Sequence, residues 1–104
     1  MVEKLSVEYL LEHYRRHVIG IADDDELDVL ALLVVTARDE IEDRLGTLTS
    51  LQRREVERVD EILAGKWRLM KIAFPPRSMH DRSRWWWFLH EGPQVREQAQ
   101  RIAA

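Results

Sequence analysis

The chain is 104 residues long, the size of one ordinary domain, so all its elements are expected to share a single core over residues 1–104. Its composition, 45% hydrophobic and 34% charged, excludes an intrinsically disordered chain, and the lack of cysteine excludes disulfides, thiolate zinc sites and cysteine nucleophiles. The first residues lack the pattern of a signal peptide and the longest apolar run, residues 29–35, is too short to span a bilayer, so a cytoplasmic protein with no membrane partner is predicted.

The net charge of −3 conceals two parts of opposite sign. Residues 1–65 hold 8 Lys/Arg against 16 Asp/Glu, whereas residues 66–104 hold 8 Lys/Arg against 3 Asp/Glu. Opposite charges favour docking of the basic C-terminal arm, residues 66–104, on the acidic part of its own chain or of a neighbouring copy. An acidic protein partner or a nucleic acid is the alternative.

The first two predicted helices have clear start and stop signals. Ser6 can cap a helix whose apolar residues recur at three- and four-residue spacing as far as Gly20, which predicts a helix over residues 6–19. A second helix is predicted to start in the acidic run at Asp23, where carboxylates oppose the positive end of the dipole, and to stop at Gly46.

The first half of the second helix, residues 29–35, is apolar on almost every side. Such a segment is expected to be buried on several sides. In so short a chain a second subunit covers it more easily than a lone three-helix core does, which predicts a homodimer.

A third helix is predicted to start at Thr49, which has capping-box spacing to Gln52, and to reach Gly65. The short link between the second and third helices predicts an antiparallel hairpin. The expected fold class is therefore all-α: a small bundle built on this hairpin, with a leading helix and a C-terminal helical arm rich in Trp and Arg.

The arm is predicted to be divided by a hinge at Pro75–Pro76, since neither proline has an amide proton to continue a helix. A fourth helix is expected from Ser78 through the three consecutive tryptophans to Gly92. Pro93 can open a last short helix.

The arm also holds the residues predicted to bind a partner. Trp and Arg are enriched at interaction hot spots, and consecutive tryptophans on a helix face different sides. The predicted residues are Trp67, Arg68, Arg82, Arg84, Trp85, Trp86, Trp87 and Phe88. The alternatives are that the arm completes the core of its own bundle or of a twin subunit, or that it binds nucleic acid through base stacking and phosphate neutralisation.

Four carboxylates suggest a different function. Glu40 and Asp43, followed after thirteen residues by Glu57 and Asp60, resemble the paired acidic motifs with which all-helical nucleotide pyrophosphohydrolases of the MazG type bind Mg²⁺. Asp43 stands where that family usually has a second Glu. The resemblance implies a metal-dependent nucleotide hydrolase, although helical phase predicts that Asp43 and Glu57 point to solvent.

Two histidine motifs are also considered. Arg84 and His90, with five residues between them, resemble the motif of the helical HEPN ribonucleases, which implies an RNA-acting dimer in which His90 is the general acid/base and Arg84 stabilises phosphate. His13 and His17 have the spacing of a two-histidine metal pair but lack a third ligand in the sequence nearby. We predict a non-enzymatic interaction or oligomerisation module with no cofactor and no metal.

Overall fold

The computed structural model describes residues 6–21, 27–73 and 81–103, and the regular elements in these ranges are all helical. Its α-helices are α1 (Val7–Gly20), α2 (Leu27–Asp43), α3 (Ser50–Gly65), α4 (Trp67–Ala73) and α5 (Gln94–Ala103). Short 3-10 turns span Leu45–Thr47, Trp85–Trp87 and Leu89–Glu91. The predicted all-α fold is thus confirmed. Three predicted features lie outside the described residues: the start of the second helix at Asp23, the hinge at Pro75–Pro76 and the helix cap at Ser78.

Side-chain caps fix the starts of α1 and α3 as predicted. The Ser6 hydroxyl accepts a hydrogen bond of 3.1 Å from the backbone N–H of Tyr9. At α3, the Thr49 hydroxyl accepts from the Gln52 N–H at 3.1 Å, and the Gln52 side-chain oxygen accepts from the Thr49 N–H at 2.9 Å. This capping box satisfies amide groups that a helix start leaves free, and α3 ends at Gly65.

The core forms where α1 packs against both α2 and α3. Helix α4 packs on α2 and on the second C-terminal 3-10 turn, and α5 packs on both of these turns. Large buried apolar side chains of α1, α2 and α3 recur at the three- and four-residue spacing of a helix face: Leu10, Tyr14, Val18, Val34, Ile41, Val56, Val59 and Leu63. None of the described helices is long and apolar enough to cross a membrane.

Lys66, between α3 and α4, ties this junction to the end of α1. Its Nζ donates hydrogen bonds to the carbonyl oxygens of Val18 (2.8 Å), Ile19 (3.0 Å) and Ile21 (2.8 Å). A cation is favourable there because the last carbonyls of a helix lack partners and carry its negative dipole end. Partial burial lowers the pKa of Lys66 below its ordinary value.

One continuous helix is predicted from Ser78 to Gly92. In the part of this range that the structure describes, residues 81–92, the prediction is wrong. Residues 85–91 form two 3-10 turns, separated at Phe88, whose backbone has φ −117° and ψ 13°. A continuous helix would rotate successive side chains by about 100° and so point part of this apolar run at solvent. The break lets Phe88 and Leu89 face the core together with the preceding tryptophans. Gly92, at φ 119°, then redirects the chain into α5.

Within the single chain, the first half of α2 is buried on one side, and its predicted burial on several sides by a second subunit stays a prediction. Ala31, Val34 and Val35 are buried, but Val29 is 60% exposed and Leu32 is 50% exposed within the single chain. Helix α2 therefore has one core-facing side and one apolar side that stays about half exposed within the described part of the chain.

Candidate functional site

Asp39 on α2 is the anchor of the C-terminal arm. Its Oδ1 accepts hydrogen bonds from the indole N–H of Trp86 at 2.8 Å and of Trp87 at 3.0 Å, and from the Arg84 guanidinium at 3.0 Å. The other arm of Arg84 donates to Asp43 at 2.6 Å. The basic arm thus docks on acidic residues of its own chain, the first of the two alternatives that charge alone allowed.

This docking decides where the predicted partner-binding residues lie. Trp85 and Trp86, 4% and 1% exposed, are buried with Phe88 in the chain's own core. Trp67, Arg84 and Trp87 are half-buried, and Arg68 and Arg82 are exposed. Of the predicted partner-binding residues, those that keep surface for a partner are therefore Trp67, Arg68, Arg82, Arg84 and Trp87.

The two exposed arginines of the predicted site have contacts within the chain. Arg82 forms a bidentate ion pair with Glu91, at 2.7 and 2.8 Å, and lies 4.3 Å from the centre of the Phe88 ring. Arg68 lies 5.2 Å from the centre of the Trp67 ring. Both guanidinium groups therefore cover aromatic rings, an arrangement that cation–π attraction favours.

A buried ion pair joins α2 to α3. Arg38 donates from Nε to Asp60 Oδ1 at 3.0 Å and from Nη2 to Oδ2 at 3.1 Å, and both side chains are less than a tenth exposed. The Tyr14 hydroxyl of α1 donates to the same carboxylate at 2.5 Å. The Arg38 guanidinium also lies 4.2 Å from the centre of the Trp86 ring. Burial, followed by the Asp60 charge, raises the pKa of Tyr14 well above its usual value.

Sequence reasoning missed this network, although a signal was present. Arg38 follows Val34 by one helical turn, and Asp60 follows Val56 by one turn, so both charges lie on apolar seams. An Arg and an Asp on facing seams are expected to pair, because an isolated buried charge is very unfavourable.

The four carboxylates that resemble the MazG motif are not brought together. Glu40 pairs with Arg44 at 3.1 Å, Asp43 with Arg84, and Asp60 with Arg38. Asp43 and Glu57 are exposed, as helical phase predicts. Within residues 6–21, 27–73 and 81–103, no group of three or more His, Asp or Glu side chains is arranged to hold a metal ion.

The two histidine motifs have different surroundings. Arg84 of the HEPN-like pair is held by its two carboxylates, while His90 lies with its side chain 12% exposed and its Nε2 3.7 Å from Glu91. His13 and His17 pack edge to face, with ring centres 4.2 Å apart. Burial, with the neighbouring His13, lowers the pKa of His17 from its usual value.

An open cleft of about 500 Å³ adjoins the anchored arm, with the buried pair of Arg38 and Asp60 and the Trp85 ring among its lining residues. Helices α3 and α5 each contribute further lining residues. Arg53, Val56 and Glu57 come from α3, and Arg96, Ala99 and Gln100 come from α5. Its volume lies within the range of ligand-binding clefts, about 300–1,000 Å³.

Comparison with protein families, with curated proteins and with solved structures finds no match to this chain.

Proposed function

We propose that the protein is a non-enzymatic, cytoplasmic interaction module that pairs with a second copy of itself through the exposed face of α2. The observation that carries this proposal is the exposure of Val29 and Leu32, at 60% and 50%, one turn apart on a helix whose opposite side forms the core. Leu33 is half-exposed and Thr36 continues the same face. Burial of such side chains is favourable by roughly 25 cal/mol per Å² of apolar surface.

A second copy is the occupant that this face fits best. Its exposed residues from Val29 to Thr36 are uncharged, so the same patch on two chains is self-complementary, as an interface with two-fold symmetry requires. The acidic residues Glu40 and Asp43 follow on the same side of α2. When two copies of α2 cross at residues 29–36, the acidic ends of the two helices lie apart, because packed helices diverge on either side of their point of contact.

The hydrolase and RNA-acting alternatives have less support. Asp60, Asp43 and Arg84, which those functions would need for metal or phosphate, are instead engaged in ion pairs inside the chain. An interaction function requires no rearrangement of these pairs.

The test replaces Leu32 with Glu and compares it with a matched control on another helix. Leu51 is 75% exposed on α3, so Leu51→Glu adds the same charge at an exposed leucine outside the proposed face. Light scattering over a micromolar concentration series is expected to give twice the chain mass of 12.4 kDa for the native protein and for Leu51→Glu. Leu32→Glu is expected to stay monomeric with an unchanged circular dichroism spectrum.

A native protein that remains a monomer throughout the concentration series would refute the proposal. Equal dissociation by Leu51→Glu and Leu32→Glu would also refute it, because the effect would then not belong to the face of α2.

A further inference from the structure

The cleft between α3 and α5 contains two arginines, Arg53 and Arg96, that form no ion pair with a described residue. Arg38 and Arg84 also line it, but each is paired with carboxylates. Arg53 makes one hydrogen bond, from Nη2 to the carbonyl oxygen of Leu45 at 3.0 Å, and no ion pair with a described residue. Arg96 likewise makes no described ion pair. Two guanidinium groups thus keep hydrogen-bond donors available at the cleft.

Arg96 is the more unusual of the two, because it is half-buried. Its guanidinium lies 5.8 Å from the centre of the Trp85 ring, which covers part of it without neutralising it. A partly dehydrated cation gains from a carboxylate more than a hydrated one does, and the planar guanidinium matches the two oxygens of a carboxylate. Arg53 of α3 and Arg96 of α5 line the same cleft from different helices.

We propose that this cleft binds a segment of another polypeptide through one acidic side chain, held between Arg53 and Arg96. Leu45, a half-buried apolar residue that also lines the cleft, contacts the neighbouring part of the segment. This site lies apart from the exposed face of α2 and does not depend on the proposed dimer.

The charges around the cleft favour a polypeptide over a nucleic acid. Glu42, Glu57 and Asp81 also line it, and they repel a strand that brings a phosphate with every nucleotide. Trp85 and Trp86 are buried and offer no face for base stacking. A peptide with one carboxylate flanked by lysines avoids this repulsion and places its cations near the acidic side chains.

Glu57 is expected to weaken the binding of the carboxylate. It lies one helical turn after Arg53 on α3, is exposed, and makes no ion pair with a described cation. Its negative charge near the two arginines lowers their attraction for an incoming acid. Replacing it with Gln keeps the shape of the cleft and removes this effect.

The experiment is an NMR titration at low salt with a short Gly-Ser peptide that carries one central Glu flanked by lysines. The same peptide with Gln in place of Glu is the matched ligand. We expect the Glu peptide to shift the side-chain Nε–H resonances of Arg53 and Arg96, and Arg96→Gln to weaken binding about tenfold or more, as loss of a charge-assisted contact does. Glu57→Gln is expected to strengthen it several-fold.

Two controls separate this proposal from other effects. Arg101→Gln removes an exposed arginine of α5 that pairs with Glu97 at 2.8 Å, and is expected to leave binding unchanged. Leu32→Glu is also expected to bind normally, so failure of the dimer does not affect this test. Equal responses to the Glu and Gln peptides at millimolar concentration would overturn the proposal. Tighter binding of a short RNA oligonucleotide at the same arginines would overturn it too, in favour of a nucleic-acid site.

Discussion

Replacing Asp60 with Ala removes the acceptor at the centre of the buried network. The Arg38 side chain, 7% exposed, would then keep its 3.2 Å contact with Glu42 as its one ion pair and its contact with the Trp86 ring, and the Tyr14 hydroxyl would lose its acceptor. Breaking a buried ion pair at one partner costs about 3–5 kcal/mol, because it leaves an uncompensated charge in the interior. Against a total stability of about 5–15 kcal/mol for a domain, we expect the variant to be close to unfolding.

Urea denaturation followed by circular dichroism measures this loss of unfolding free energy. Glu57→Ala, an exposed acid one turn earlier on α3, is the control and is expected to change stability by less than about 0.5 kcal/mol. The double variant Arg38→Met, Asp60→Leu is expected to recover most of the loss, since an apolar pair leaves no buried charge unpaired. A loss below about 1 kcal/mol in Asp60→Ala would show that the network is hydrated, and would refute the reasoning.

Two further predictions concern the anchored arm and the histidine pair. Asp39→Ala leaves the indole N–H groups of Trp86 and Trp87 without their acceptor. We expect a red-shifted tryptophan emission and a loss of about 1–3 kcal/mol in the free energy of unfolding measured by urea denaturation. An unchanged emission spectrum would contradict the anchoring role of Asp39. The folded state lowers the pKa of His17 from its ordinary value of 6.5, so the unfolded state takes up the proton more readily. The free energy of unfolding is therefore expected to decrease as the pH falls below about 6.5, and His17 is expected not to affect it above that pH. His17→Gln should flatten this decrease, and an equally steep decrease in the variant would assign it to other groups.

The helices of the acidic part were predictable because their signals are local. Ser6 and the pair Thr49 and Gln52 cap amide groups within one turn of themselves, and apolar spacing marks the buried side of each helix. The predicted first and last residues of α1 and α3 agree with the structure to within one residue. The same local rules failed in the arm, where one helix was predicted through the three tryptophans but they form a 3-10 turn.

The physical reason for that failure is a set of contacts between residues far apart in the sequence. Asp39 accepts hydrogen bonds from two indole N–H groups and a guanidinium of a segment more than forty residues later, and these donors lie in the first of the two 3-10 turns or directly before it. The opposite charges of the two parts predicted that the basic arm contacts acidic side chains. It could not select between the chain's own acidic residues and those of a second copy.

The sequence by itself determined the all-α class, the starts of α1 and α3 and the opposite charges of the two parts, because these depend on neighbours within a turn or on composition. Only the tertiary structure decided that Trp85 and Trp86 are core residues. It also decided that three of the four carboxylates of the metal-site resemblance, Glu40, Asp43 and Asp60, lie in separate ion pairs. It also left Val29 and Leu32 half-exposed, and Arg53 and Arg96 without an ion pair among the described residues. Burial and pairing are properties of side chains brought together in space, and helical periodicity does not specify which helices meet.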